Sequence, residues 1–279
     1  MKIKRIPFVY KTLFLKDKYA LDEVVLDTPS LIDTLSKGLE NKIFKINSEQ
    51  GLELILDETQ KNIEYLRLHC DSETLEISAD AYLFTAGEQN ANLLAALSSP
   101  PEMQLRPLQM VLLKHPDLTP FFAHCIDTGM NPRMTITTHT LKTGEPVWYI
   151  GGQLAEDGVQ RTESEQHLAA KKEIEVLFPW LDLSKASFKS FFINRAEAKQ
   201  PGGKRPESSF VSILGNAIVA WPTKLALAPV LVDSVIQHLE KQQIKPQASR
   251  DNASSMPNHW PKPKRSSTVW DTLFSEHYL

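Results

Sequence analysis

The sequence predicts a mixed α/β (α+β) fold, with one sheet that ends in a buried parallel strand and a second that is antiparallel. Three observations carry that prediction. Ala81-Tyr82-Leu83-Phe84-Thr85-Ala86 is apolar on both faces and stops at Gly87, as a strand buried in a parallel sheet does. The runs 108–113, 134–141 and 147–150 are strand-like and read as a separate antiparallel sheet. Residues 163–178 and 227–239 repeat apolar side chains at three- and four-residue spacing, the period of a helix.

Taken in order, residues 1–26 alternate loosely through Ile3, Ile6, Phe8, Tyr10, Leu13 and Leu15, which predicts a strand or two. A helix follows at about 29–38. Asp27 or Thr28 can cap it, Pro29 fills its first position, Leu31, Ile32, Leu35 and Leu39 share a face, and Gly38 marks its end. Short β-patterned runs at 43–46, 52–56, 63–68 and 75–77 form a meander that feeds the strand at 81–86. Ser98-Ser99-Pro100-Pro101 breaks the chain before the second sheet. Ala170, Ile174, Leu177 and Phe178 line one face of the helix that Pro179 ends. KQPGGKRPESS at 199–209 is turn chemistry with three positive charges, followed by strands at 210–214 and 217–220. Leu227, Leu231, Val235 and Leu239 define the last helix. From about 241 the chain is polar and Pro-rich, which predicts a flexible or surface-draped tail anchored by Trp260 or Trp270.

With 42% hydrophobic residues over 279 positions, the chain can bury a sizeable core as one large domain or two smaller ones. A net charge of -3 sets up no field that would attract nucleic acid. Cys70 and Cys125 are the only cysteines and stand far apart, which argues against a disulfide framework or a Cys-rich zinc site and makes the cytoplasm the expected compartment. Charge interrupts the first residues every few positions, unlike a signal peptide, and no apolar run reaches the ~20 residues of a membrane span. The expectation is a soluble or at most membrane-peripheral protein. None of the 11 glycines forms a G-x-G-x-x-G turn, which argues against dinucleotide binding by this chain alone.

Two strand ends carry candidate binding chemistry. At Thr85-Ala86-Gly87 the loss of side-chain bulk would let a ligand lie against the backbone, although a core strand ending in an ordinary glycine turn has the same sequence. At Pro222-Thr223-Lys224-Leu225 a strand runs into a helix, whose first N-H groups would stabilise negative charge. Thr223 is alternatively an N-cap and Lys224 a solvated side chain. Arg195 is the preferred anchor for a carboxylate or phosphate, because its planar fork donates two parallel hydrogen bonds, or else it is a salt-bridge partner of Glu197. Arg133 is a second candidate anchor or an exposed turn residue. His139, in a Thr-rich strand, is a candidate proton acceptor or a histidine bonded within the sheet. His124 and Cys125 are adjacent in a strand and so face opposite ways, which excludes a shared metal. Lys262, Lys264 and Arg265 read as solvated tail charges.

Five segments in one order then resemble a known family. Glu23-Val24-Val25-Leu26-Asp27-Thr28-Pro29-Ser30-Leu31 resembles its lead into a helix, Thr85-Ala86-Gly87 its strand end, and Arg106-Pro107 the start of its substrate sheet. Trp148-Tyr149-Ile150-Gly151-Gly152 resembles that sheet's central strand, and Trp221 through Pro229 the closing flavin contact. Over roughly residues 5–240 the chain resembles FAD-dependent oxidoreductases of the D-amino-acid oxidase and glycerol-3-phosphate dehydrogenase superfamily. The resemblance implies an incomplete doubly wound FAD-binding domain interleaved with an antiparallel-sheet substrate domain. The parts would be substrate-domain strands at 1–26, an FAD-domain portion with the meander at 27–104, the antiparallel substrate domain with its helix at 105–209, the closing FAD-domain strand and helix at 210–240, and the tail at 241–279.

The cofactor it implies is FAD, contacted by Thr85, Ala86, Gly87, Pro222, Thr223, Lys224 and Leu225. The reaction it implies moves a hydride from a small hydroxy or amino substrate, glycerol-3-phosphate-like in one version, with Arg195 as anchor; His139, singled out by its strand, is the candidate base. Family members begin with a glycine-rich strand-turn-helix that grips the FAD diphosphate, whereas this sequence opens later in the pattern. That predicts either a truncated, non-catalytic remnant or subunit acting through protein contacts, or a protein partner that supplies the missing segment.

Overall fold

The computed structural model describes residues 21–46, 51–129, 131–245, 257 and 259–275, so the strands expected between Ile3 and Leu15 lie outside the described residues. In chain order the helices are α1 (Thr28–Ser36), α2 (Asn90–Leu93), α3 (Gln153–Asp157), α4 (Glu163–Leu177), α5 (Ala228–Lys241) and α6 (Val269–Phe274). The strands are β1 (Leu52–Leu56), β2 (Ile63–Cys70), β3 (Glu73–Ile77), β4 (Tyr82–Phe84), β5 (Met103–Lys114), β6 (Ala123–Cys125), β7 (Met134–Thr140), β8 (Pro146–Gly151), β9 (Ser187–Ala198), β10 (Phe210–Leu214) and β11 (Ala217–Trp221). Two compact units share the chain, the first made of Met1–Gly38, Pro107–Ile193 and Arg265–Leu279, the second of Leu39–Arg106 and Asn194–Lys264. The segment of α1 belongs to the first unit, and 194–209 to the second.

The first unit is built on a five-stranded sheet in the order β6-β7-β8-β5-β9, antiparallel from β6 through β5. One face carries the main core. Val111, Leu113, Met134, Ile136, Trp148 and Ile150 alternate onto it and pack against Ala170 and Ile174 of α4, which are fully buried. The start of α4 follows from its sequence. Thr162 accepts from the Glu165 N-H at 3.3 Å, while the Glu165 carboxylate accepts from the Thr162 N-H at 2.8 Å, so two orphan donors are satisfied at once. Gln166 is buried on the same helix and donates to the carbonyls of Gln109 and Leu154, each at 3.0 Å. Gly152 turns the chain from β8 into α3 at φ +83°, and a Cβ there would meet the Pro132 carbonyl oxygen at 2.7 Å. The helix α1 starts on Asp27, whose carboxylate accepts from the Ser30 N-H at 3.2 Å, but none of its residues is buried.

The second unit holds two small sheets. β1, β2 and β3 form the predicted antiparallel meander. The other sheet runs β10-β11-β4, with β10 and β11 antiparallel and β11 parallel to β4, in the register Ala217 to Tyr82, Ile218 to Leu83 and Val219 to Phe84. Every residue of β11 is buried, which is why Ala217 to Trp221 read as a continuous apolar run. Tyr82 and Phe84 point into a core with Ile63, Leu94, Leu97 and Val219. Leu83 points the other way and is 51% exposed, because β4 is the edge of its sheet among the described residues.

Two differences from the sequence reading concern strands. Residues 43–46 make no strand; the Lys45 N-H instead donates to the Pro261 carbonyl at 2.8 Å, and the Lys262 ammonium sits 3.4 Å from the centre of the Phe44 ring. β9 was not anticipated. In the tail both tryptophans expected as anchors are packed: Trp260 is buried and donates to the Glu73 carboxylate at 3.2 Å, and Trp270 stacks on His139 from the helix Val269–Phe274. Among the described residues no helix is long and apolar enough to cross a membrane.

Candidate functional site

Parallel pairing of β4 with β11 sets their carboxyl ends side by side in the second unit, and the two predicted binding segments are those ends. A hydrogen bond joins them directly. The indole Nε1-H of Trp221 donates to the Gly87 carbonyl at 3.0 Å. The turn after β4 is fixed a second time by Asn90, which is completely buried: its Oδ1 accepts from the Ala86 N-H at 2.8 Å and its Nδ2 donates to the Phe84 carbonyl at 3.4 Å. Thr85 and Ala86 are exposed, and Gly87 adopts φ +59° with open space where a Cβ would stand. Here the chain leaves the sheet without side-chain bulk.

Beyond Trp221 the backbone is strained. Thr223 sits at φ +63°, a region that a β-branched residue rarely adopts, and its hydroxyl donates to the Ser208 carbonyl at 3.1 Å. The Lys224 N-H closes a tight turn onto the Pro222 carbonyl at 2.6 Å. Thr223 is therefore no N-cap. A short 3-10 turn, Leu225–Leu227, comes next and α5 starts at Ala228, and neither start is capped by a side chain. Lys224 and Leu225 are exposed. Uncapped N-H groups beside a turn held in strain are suited to an anionic ligand edge.

Arg195 is half-buried on β9 in the second unit. Its expected neighbour Glu197 is 1% exposed and held by Arg106, with Nε to Oε2 at 2.7 Å and Nη2 to Oε1 at 2.9 Å. Burial alone would push the Glu197 carboxyl up; the Arg106 bonds, helped by Gln104 and by the charge of Arg195, outweigh it and hold it below the usual carboxylate range.

His139 belongs to the first unit, on the sheet face opposite α4. Its Nε2 lies 3.1 Å from the Thr137 hydroxyl, and its ring stacks on Trp270 of α6 with centroids 4.0 Å apart. Arg133 is tied to α4 by an ion pair with Glu173 at 2.8 Å. His124 and Cys125 do face opposite ways. The imidazole lies 3.2 Å from Glu23, while Cys125 packs on the main core, where burial pushes its thiol up to about 11. The sequence reading missed Asn90 and Ser208, which position the two turns through side-chain and backbone bonds that leave no local pattern.

No family model matches the chain. A curated protein of Pseudomonas aeruginosa, the probable FAD-dependent oxidoreductase PA4991, is 36% identical over 259 residues, which is 92% of this chain. The chain spans 63% of that relative's length. The crystal structure of the FAD dependent oxidoreductase PA4991 superposes with a TM-score of 0.81 at 36% identity, covering 92% of this chain and 68% of that one. A solved iminodiacetate oxidase from Chelativorans sp. BNC1 is 14% identical with a TM-score of 0.46, a likeness too slight to build on. At 36% identity across more than two thirds of the crystallised relative, the chain belongs to the family of that FAD-dependent oxidoreductase.

Proposed function

We propose that the chain works as an FAD-dependent oxidoreductase of the D-amino-acid oxidase and glycerol-3-phosphate dehydrogenase type, acting in the cytoplasm on a small hydroxy or amino substrate. The observation that carries this reading is the bond from Trp221 to the Gly87 carbonyl, which joins the bare turn after β4 to the strained turn after β11. FAD, when bound, supplies the hydride acceptor. The chain's residues supply placement and charge. Thr85, Ala86 and Gly87 let a flat ring approach the backbone, and the turn Pro222 to Leu225 stabilises negative charge at the ring's edge. Arg195 holds a substrate carboxylate or phosphate, glycerol-3-phosphate-like in one version, and His139 takes the substrate's proton.

The direct test is to incubate the purified chain with FAD, remove free cofactor and record the visible spectrum. Retained flavin bands support the reading. A colourless protein overturns flavin binding by this chain.

Leu83, exposed on β4, the edge strand of its sheet among the described residues, favours a second reading in which a protein segment completes that sheet edge. Light scattering on the purified chain distinguishes it: self-association, or a drop in it when Leu83→Lys is introduced, supports the reading, and a monodisperse monomer that ignores the substitution contradicts it.

A further inference from the structure

The sheet of the first unit has two differently covered faces. α4 and the main core bury one of them completely. On the other, Leu112, Tyr149 and Thr137 stand in cross-strand register, followed along the sheet by Val147 and His139. Three apolar residues there, Leu112, Leu141 and Val147, are buried, and α6 covers them through Trp270, Leu273 and Phe274.

α6 is a weak cover by its own physics. Six residues are too few to hold a helix in water without outside support, and none of them is buried. Its side chains hold it down instead. The Asp271 carboxylate accepts from the Lys142 N-H at 2.8 Å, and the Lys114 ammonium lies 5.5 Å from the Phe274 ring centre. Trp270 takes the central position, stacked at 19° on His139 and edge-on to Tyr149, which itself meets Phe191 at 6.0 Å. Among the described residues these contacts are with side chains or a single amide, not a backbone ladder, so they can be released together while the sheet beneath keeps its own hydrogen bonds.

We propose that α6 is a strap that lifts from this face, and that Trp270 is the movable wall deciding whether a small molecule reaches His139 and Tyr149. The identity of that molecule as the hydroxy or amino substrate rests on the functional reading above; the strap itself does not. Closed, the Trp270 ring occupies one face of the imidazole. Open, it leaves an aromatic box of His139, Tyr149 and Phe191 whose polar atoms are the imidazole, the Tyr149 phenol and the Thr137 hydroxyl. Burial holds the phenol protonated to higher pH than usual, which suits it to donate a hydrogen bond to a substrate oxygen or nitrogen.

The test needs neither flavin nor turnover. The full-length chain is treated with diethyl pyrocarbonate, and the rate of His139 carbethoxylation is read by peptide mass spectrometry at several urea concentrations below the unfolding transition, in wild type and in Trp270→Ala and Trp270→Leu. The expected result is slow modification in wild type that hardly depends on urea, as local opening requires, and a rise of roughly tenfold or more in Trp270→Ala. Trp270→Leu, which keeps apolar bulk without stacking, falls between and guards against loss of fold in the smaller variant. Equal rates in all three proteins would show that Trp270 does not cover the imidazole. Wild-type modification that tracks global unfolding with urea would show a fixed part of the fold rather than a strap. Either result leaves flavin binding by the second unit untouched, and a failure to bind FAD leaves the strap standing.

Discussion

Thr223 concentrates the argument about function in one residue. A β-branched side chain at φ +63° persists only where its surroundings enforce it, and here the hydroxyl bond to Ser208 and the tight Lys224 turn do so. Thr223→Asn relieves the strain, since Asn tolerates the left-handed region, but loses the same hydroxyl bond to Ser208, so in urea unfolding it should stay more stable than Thr223→Val by about 1 kcal/mol while weakening FAD retention. Thr223→Val keeps the branching but loses the bond to Ser208, and should lower stability by about 1 kcal/mol. The Arg106 and Glu197 pair makes the opposite kind of claim, about structure rather than ligand. Removing Arg106 strands a carboxylate that is 1% exposed, so Arg106→Ala should cost about 3–5 kcal/mol at neutral pH. Because the folded carboxyl is held below its ordinary value, its stabilising contribution is complete above the usual carboxylate range and fades as pH falls through the lowered value. The deficit of Arg106→Ala should therefore shrink on acidification, which unfolding curves at several pH values would reveal.

Elements whose burial follows a single period were legible in the sequence, and those with mixed environments were not. Residues 163–177 announce a helix because Ala170 and Ile174 fall on one buried face and Pro179 closes it; the Thr162-Glu165 capping box that opens it went unread. Ile174→Ala should accordingly cost about 2–5 kcal/mol, measured by urea unfolding, because the cavity opens in the middle of the main core. β11 was legible because a strand buried on both faces is apolar throughout; β4 was expected to be buried in the same way, yet only Tyr82 and Phe84 are buried and Leu83 is exposed. β9 escaped because its residues from Ser187 to Ala196 are half-buried or exposed, which erases the alternation that marks a strand. The β-patterned run Ile43 to Ile46 suggested a strand, yet the backbone there meets the tail through one described amide bond. α6 lies in a stretch whose Pro and Ser content signals disorder, and only the docking of Trp270, Leu273 and Phe274 orders it. Tertiary contact decided each of these cases, and tertiary contact has no local signature. The candidate site divides the same way: its turns were readable as small residues and Pro after apolar strands, whereas the locks that set them, Asn90 and the Trp221 indole, appear only once β4 and β11 are paired.

At the scale of the molecule, two compact units share one chain that changes unit after Gly38, within β5, within β9 and after Lys264. The second unit carries the paired strand ends proposed to contact flavin; the first carries His139 and its cover. Exposed apolar residues occur in both, with Ile32 and Leu35 on α1 in one and Leu83 on the edge strand β4 in the other. The chain matches 63% of the length of its curated relative, so its activity has to be measured on the chain itself. The central claim is that the turns after β4 and β11 form a single flavin-binding edge. Hydrogen-deuterium exchange with and without added FAD tests it most directly. The account predicts that peptides spanning 85–89 and 222–227 gain protection together, at the same FAD concentration; protection of one without the other, or of neither while FAD is bound, would contradict it.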